Sequence, residues 1–166
     1  KQAHAYFDGG AWLTESVENG GGGSSLALDA AGHAQIIHFQ TLSYPNGDIR
    51  LASFDGYAWH AETALTGLWG SPQKSLALDS LEQPHFSLCI SHSFGYKLGY
   101  AYKDGVGWHD EYFGDYIPHS RDSSLALDAE DRPHLSYGGE SLLYVHQTPV
   151  PISGVAIQGP ETVAIG

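Results

Sequence analysis

Two histidines stand at the same place in successive parts of the chain: His85 and His134 each follow a proline directly. Imidazole binds metal ions and titrates near neutral pH, so a ring of such histidines could hold a metal or bind a ligand. A structural role competes, because a histidine at the start of a strand can pack its ring and bond to the backbone. Gln35 in the corresponding place of an earlier copy favours that role. We keep both histidines as candidate ligand-binding residues but expect no metal and no cofactor.

Aromatic side chains are a second source of binding chemistry, since exposed rings with polar neighbours suit sugar ligands. Aromatic residues that do not recur are freer to bind, and these are our candidate ligand-binding residues: Trp69, Tyr96 and Tyr116. Three tryptophans do recur at one position, and we expect them to form structural core: Trp12, Trp59 and Trp108.

Carboxylates are numerous, but they recur as well. Glu15, Glu62 and Glu111 hold the same place in each copy, which suits a structural role better than a single catalytic one. No segment has the dense carboxylate spacing of a calcium loop. A sialidase needs clustered arginines, and the arginines stand at unrelated positions: Arg50, Arg121 and Arg132. We therefore expect no enzymatic activity.

Three blocks of sequence recur about every fifty residues. The motif Ser-Leu-Ala-Leu-Asp occurs three times and ends at Asp29, Asp79 and Asp128. A second block, Pro-His-x-Ser, includes His85 and His134. A third, Asp-Gly-x-x-Trp-x-x-Glu, begins at Asp8, Asp55 and Asp104. Self-similarity at this period predicts a repeat architecture.

Within each repeat the apolar residues alternate with a period of two, and Gly, Pro, Asn or Asp bound every segment. Each repeat is therefore predicted to form four short antiparallel strands, which is the size of one β-propeller blade. The aspartates that end the first strand should accept hydrogen bonds from their own turns. Each tryptophan should pack between blades, with its indole N–H near an acceptor. We predict an all-β chain of about three blades from a ring of six to eight.

The repeat resembles that of bacterial secreted propellers of the Ser-Leu-Ala-Leu-Asp-x-x-Gly-x-Pro-His-Ile-Ser-Tyr type. The stretch Ser53-x-Asp55-Gly-x-x-Trp59 is similar to a shortened Asp-box of sialidase-type propellers. The resemblance covers about residues 1–148. It implies propeller architecture and an extracellular or cell-surface location, but no particular activity, because such repeats occur in lectins, enzymes and scaffolds.

The pattern changes near residue 148, where Thr148-Pro149 replaces the Asp-Gly of the other copies. We expect residues 149–166 to be a linker and the first strand of a truncated bacterial immunoglobulin-like module. The blades are predicted at 24–66 and 74–116, with partial blades at 1–22 and 123–148. The strand of Trp12 could supply the fourth strand that the last blade lacks.

About three blades are too few to close a ring, so a partner is predicted. It is either another copy of the chain or the remaining blades of the same protein. The chain contains no methionine, so we expect it to be a fragment or a processed product.

Composition narrows the classes of partner further. Nineteen acidic residues against seven basic ones give a net charge of −12, which disfavours nucleic acids and anionic membranes. No apolar run is long enough to span a bilayer. The single cysteine, Cys89, excludes an internal disulfide and suits a buried position. Three functions remain, in order: a scaffold or adhesion propeller, a glycan-binding lectin-like propeller, and a fragment of a polysaccharide-active enzyme.

Overall fold

The chain folds into β-strands, as its alternating pattern predicts. The computed structural model describes residues 1–19, 21–43, 45–69, 74–117, 122–138, 142–147 and 161–165. No helix occurs in those ranges, and hence none that could cross a membrane. The strands are β1 (Gln2–Phe7), β2 (Trp12–Glu18), β3 (Gly22–Leu28), β4 (Ala34–Ser43), β5 (Asn46–Phe54), β6 (Trp59–Trp69), β7 (Lys74–Leu78), β8 (Pro84–His92), β9 (Gly95–Lys103), β10 (Trp108–Ile117), β11 (Ser123–Leu127), β12 (Pro133–Gly138), β13 (Leu142–His146) and β14 (Glu161–Ile165). The all-β prediction is confirmed.

The strands form four antiparallel sheets in sequence order. Sheet A is the pair β1–β2, sheet B runs β3-β4-β5-β6, sheet C runs β7-β8-β9-β10 and sheet D runs β11-β12-β13-β14. Each four-stranded sheet is an up-and-down meander, because every strand pairs with its sequence neighbour. The four-strand prediction for each repeat is therefore confirmed.

The turn aspartates hold the hairpins in the predicted way. After the first strand of sheet C, Asp79 Oδ1 accepts from the backbone N–H of Gln83 at 2.7 Å, and Asp29 and Asp128 do the same in sheets B and D. At the Asp-Gly turns, Asp8 Oδ1 accepts from Gly10 N and Ala11 N, both at 2.8 Å. Short carboxylates thus satisfy turn amides that no strand pairs.

Two apolar cores lie between the sheets. The first joins sheets B and C through Ile37, Phe39, Ile49, Leu51, Ala64, Leu76, Phe86, Leu88 and Ala101. The second joins sheets C and D through Cys89, Leu98, Tyr100, Leu125, Leu135, Tyr137 and Val145. Sheet C therefore buries one face against sheet B and the other against sheet D.

The first strands lie side by side: β7 contacts β3 on one side and β11 on the other. In this strand the leucines face the preceding sheet and the alanine faces the next one. Leu76 belongs to the core with sheet B, whereas Ala77 packs on the core with sheet D. This is the arrangement expected of consecutive blades; closure into a ring stays a prediction.

Polar links join successive sheets at their first strands and turns. Leu76 N donates to Ser25 Oγ at 3.0 Å, and Leu125 N donates to Ser75 Oγ at 3.1 Å. We call this repeated contact the serine link. Because it recurs at the same repeat position, it fixes the register of each sheet on its predecessor.

A second link reaches from each turn back to the turn of the sheet before it. Glu82 Oε1 accepts from Ala30 N at 2.8 Å, and Asp131 Oδ1 accepts from Ser80 N at 2.9 Å. Glu82 and Asp131 are the non-glycine residues with positive φ among those described, at 62° and 60°. We call this contact the turn-acid link.

The repeated tryptophans only partly match their predicted core role. Trp108 packs on the first core and contacts Phe86, and Trp59 contacts Phe54 and His4. Trp12, however, is 72% exposed, so its assignment to the core is wrong. It lies in two-stranded sheet A, where no described strands cover it. The predicted acceptors for the indole N–H groups of Trp59 and Trp108 are not found among the described residues.

Two boundaries differ from the sequence-based expectation. Strand β3 begins at Gly22, two residues before the predicted start of its blade at residue 24. Strand β14 comes from the segment assigned to an immunoglobulin-like module, and it pairs with β13 as the fourth strand of sheet D. The strand of Trp12 pairs with β1 in sheet A instead of taking that place. Thr148 and Pro149 lie outside the described residues, and the separate module stays a prediction.

Candidate functional site

Two of the candidate aromatic residues lie at one end of sheet C. Tyr96 lies near the start of β9 and is paired in register with Ile117 of β10, so Tyr116 lies beside it. The hairpin between β8 and β9 adds Phe94, whose ring centroid lies 6.1 Å from that of Tyr116 at an angle of 54°. Phe94 is 76% exposed and Tyr116 is 39% exposed. Lys97 lies over the Tyr116 ring and side chains alternate between the two faces of a strand, so Tyr96 belongs to the opposite face of the sheet. We call the rings of Phe94 and Tyr116 the aromatic patch.

Lys97 places a positive charge next to the aromatic patch. Its ammonium lies 5.8 Å from the centroid of the Tyr116 ring, within cation–π range. The ion pairs of lysine and arginine among the described residues involve Arg50, Lys103 and Arg132, and not Lys97. The patch therefore combines ring faces with an ammonium donor, a combination that suits a polar ligand with apolar C–H faces.

Trp69 occupies the matching end of sheet B. It ends β6, is paired in register with Asn46 of β5 and is 47% exposed. No ring contact links it with the aromatic patch in the described part of the chain. Neighbouring sheets thus present aromatic side chains at the same end, but the structure does not bring all three candidates together.

His85 is fully engaged inside sheet C. It is 8% exposed, its Nδ1 lies 2.5 Å from the hydroxyl of Tyr100, and its Nε2 lies 3.3 Å from Asp79 Oδ2. Its ring also stacks on Tyr102, 5.7 Å between centroids. Burial raises the pKa of Tyr100, and the negative charge of Glu111 adds to that rise, so this phenol stays protonated. Both imidazole nitrogens are occupied, which leaves none for a metal.

His134 repeats this arrangement in sheet D. Its Nδ1 is hydrogen-bonded to the hydroxyl of Tyr144, its Nε2 lies 3.3 Å from Asp128 Oδ2, and its ring stacks on His146. Partial burial opposes ionisation of Asp128, but hydrogen bonds from the Arg132 backbone and side chain and from His134 outweigh it and lower the pKa of that carboxyl. The geometry at both histidines supports the structural alternative over a ligand or metal site. No group of side chains in the described ranges could hold a metal ion.

Two of the three repeated glutamates bond to other side chains of the fold, which agrees with the structural role expected of them. Glu15 Oε1 lies 3.0 Å from His4 Nδ1, and Glu62 Oε1 accepts from Lys103 Nζ at 2.5 Å. Sequence reasoning missed Phe94 and Lys97, although Phe94 recurs no more than the aromatic residues that were chosen. The signal was Ser-Phe-Gly at a hairpin tip, where a large apolar residue has no core to enter.

The fold is similar to that of a solved lectin. The structure of a fucose lectin from Kordia zhangzhouensis in complex with methyl-fucoside superposes with a TM-score of 0.50 and 19% sequence identity, covering 75% of this chain and 92% of that one. No family model matches the sequence, and no curated protein matches it. The likeness therefore concerns the fold and supports the all-β, four-stranded architecture.

Proposed function

We propose that this chain is a non-enzymatic carbohydrate-binding module and that the aromatic patch of sheet C is its sugar site. The observation that carries the proposal is the pair of exposed rings, Phe94 and Tyr116, held side by side with the ammonium of Lys97. From the sequence alone, a scaffold or adhesion role was the first of the three expected functions. The likeness to a fucose lectin supports the glycan-binding alternative better than that role.

The physical basis is the amphipathic character of sugars. One face of a pyranose carries C–H groups that pack on an aromatic face, while its hydroxyls require hydrogen-bond partners. Lys97 can donate such a bond, since its ammonium lies 5.8 Å from the centroid of the Tyr116 ring. Exposed rings at a hairpin tip contribute little to the cores between the sheets, which fits a binding role better than a folding role.

We propose further that the module is secreted or displayed at a cell surface, as the resemblance of its repeat implies. Its acidic surface, with a net charge of −12, suits soluble or neutral glycans better than nucleic acids or anionic lipids.

A glycan array that includes α- and β-fucosides, followed by titration calorimetry on the best sugar, tests the proposal. We expect Tyr116→Ala and Phe94→Ala each to weaken binding by about tenfold, which corresponds to about 1.4 kcal/mol, a usual cost for an interface aromatic residue. Circular dichroism should show that both variants keep the strand content of the native chain.

Tyr57→Ala is the matched control. Tyr57 is 95% exposed at the tip of an Asp-Gly turn in sheet B and lies outside the aromatic patch. Its removal should leave sugar affinity unchanged. Binding to no sugar at all would return the scaffold role to first place, and equal losses in Tyr57→Ala and Tyr116→Ala would move the site elsewhere.

A further inference from the structure

Three polar side chains between sheets C and D form a chain of hydrogen bonds: Tyr100, His85 and Asp79. The hydroxyl of Tyr100 lies 2.5 Å from His85 Nδ1, and His85 Nε2 lies 3.3 Å from Asp79 Oδ2. An ionised carboxylate can only accept a hydrogen bond, so Asp79 holds the imidazole proton on Nε2. Nδ1 therefore carries a lone pair, and the phenol of Tyr100 donates its proton to a basic nitrogen.

This phenol is closed off from solvent. Tyr100 is 4% exposed and belongs to the core between sheets C and D, and His85 is 8% exposed. Burial raises the pKa of Tyr100, and the negative charge of Glu111 adds to that rise, so the phenol does not ionise near neutral pH. Its proton becomes labile when an electron is removed, because a phenol radical cation is a strong acid.

The acceptor separates Tyr100 from another tyrosine of sheet C. Burial raises the pKa of Tyr112 as well, but the group that is bonded to this phenol is the carboxylate of Asp110. An imidazole is a stronger base than a carboxylate, so it takes the proton of an oxidised phenol more readily. An imidazolium at His85 would also lie beside the Asp79 carboxylate, which pairs a charge that would be costly to bury alone.

A stack of rings leads from Tyr100 toward the surface. The ring centroids of Tyr100 and Tyr102 lie 5.7 Å apart, and those of Tyr102 and His109 lie 4.9 Å apart, at interplanar angles of 26° and 21°. The side chain of His109 is 40% exposed. Electrons tunnel readily over such short gaps, so an oxidant at the surface can take an electron from Tyr100 without entering the core.

The tyrosine and the histidine occur together in the repeats. In sheet D, the hydroxyl of Tyr144 is bonded to His134, which in turn lies next to Asp128. In sheet B, the places of His85 and Tyr100 are taken by Gln35 and Leu51. A four-stranded sheet can thus form without either residue, which indicates that the two side chains act as a pair.

We infer that Tyr100 is a redox-active residue, which an outer-sphere one-electron oxidant at the surface converts into a neutral phenoxyl radical. One electron passes from Tyr100 along the ring stack, and the oxidant is reduced by that electron. The phenolic O–H bond breaks, and its proton forms an N–H bond at His85 Nδ1. The proton stays there, beside Asp79, and returns to the phenol oxygen when an outer-sphere reductant gives the electron back. The radical is long-lived because the core between sheets C and D keeps solvent and other chains away from it.

Flash oxidation by photogenerated ruthenium(III) tris-bipyridine, with electron paramagnetic resonance as the readout, tests this inference. All chains carry Tyr144→Phe, so that the pair in sheet D gives no signal. We expect this parent chain to form a long-lived tyrosyl radical, and we expect Tyr100→Phe to lose it. His85→Gln should lose it too, because an amide is not a base, although Gln35 shows that the repeat accepts glutamine at this place. Radical formation in the parent chain should be slower in heavy water, since a proton moves with the electron.

Tyr112→Phe is the matched control, since it removes a phenol that is bonded to a carboxylate in the same sheet. It should leave the long-lived signal unchanged, and circular dichroism should show native strand content in all variants. The absence of a long-lived radical in the parent chain would overturn the inference, as would its survival in Tyr100→Phe. Equal radical yields and equal heavy-water effects in the parent chain and His85→Gln would also overturn it, because His85 would then have a structural role only.

Discussion

The junction between sheets A and B and the junction between sheets B and C use the same three repeat positions in opposite ways. At the first junction these positions hold Glu18, His38 and Arg50: Glu18 Oε1 accepts from Arg50 Nη2 at 2.6 Å, and Oε2 lies 2.8 Å from His38 Nε2. At the second junction they hold Leu65, Leu88 and Gly99, and both leucines belong to the apolar core.

The difference shows that the fold determines which repeat positions contact each other across a junction, whereas the side chains at those positions can be either charged or apolar. His38 and Leu88 are both fully buried, so burial alone does not distinguish them. The charged residues are tolerated here because the Glu18 carboxylate accepts hydrogen bonds from both Arg50 and His38. The charged residues also make the stability of the junction between sheets A and B dependent on pH, whereas the stability of the apolar junction between sheets B and C should not depend on it.

The largest effect is expected when the apolar junction is broken. Leu88→Ala should lower the free energy of unfolding by about 2–5 kcal/mol, because Leu88 is fully buried and its removal leaves a cavity between sheets B and C. Urea unfolding followed by tryptophan fluorescence measures the change. Leu26→Ala is the control: this side chain is half exposed and should cost clearly less. Equal costs would mean that the core between sheets B and C is not what stabilises the chain.

A middle-sized effect is expected at the polar junction. Glu18→Gln should cost about 2 kcal/mol near pH 7, since it takes the charged acceptor away from Arg50 and His38. Partial burial raises the pKa of Glu18, but the hydrogen bonds from Arg50 and His38 outweigh it and hold that pKa below the usual 4.5.

A depressed carboxylate pKa fixes the sign of the pH dependence. The stabilisation by Glu18 is fully present above about pH 4.5 and is lost as the pH falls through its lower folded-state pKa. The native chain should therefore lose more stability between pH 5 and pH 3 than Glu18→Gln does. Glu15→Gln is the control, because Glu15 is more exposed and, in the described part of the chain, bonds to His4 alone. Parallel pH profiles for native chain and Glu18→Gln would contradict this account.

The smallest effect is expected at the serine link, which both apolar junctions share. Ser25→Ala and Ser75→Ala should each cost about 1 kcal/mol, because each leaves one leucine N–H without its hydroxyl acceptor. Chemical denaturation resolves a difference of this size. Ser124→Ala removes the equivalent exposed hydroxyl of sheet D, which accepts from no amide among the described residues, and should cost nothing measurable.

The fold was predictable from the sequence because it is repeated. Asp29, Asp79 and Asp128 recur with the leucines before them, and turn chemistry follows directly from such local patterns. The exposure of individual side chains, by contrast, could not be predicted from the repeated motifs. Trp12 has the same sequence context as Trp108, yet one is exposed and the other packs on a core, since the difference comes from a neighbouring sheet.

The candidate site was only half predictable, for a related reason. Tyr96 and Tyr116 were identified because they do not recur, and strand pairing places both at one end of sheet C, although only Tyr116 joins the aromatic patch. Their partners Phe94 and Lys97 lie in a hairpin whose shape depends on backbone turns, with Gly95 at φ 133°. His85 and His134 were candidates because they recur, and recurrence turned out to mark hydrogen bonding within each sheet.

The turn-acid link has a directional consequence. Glu82 and Asp131 each hold a left-handed backbone conformation that costs a side-chain-bearing residue about 1 kcal/mol or more. Each carboxylate meets its amide only when the earlier repeat is already in place. An isolated repeat would keep the strain without the hydrogen bond, so neighbouring repeats should fold cooperatively, with order spreading from the amino-terminal side toward the carboxyl terminus.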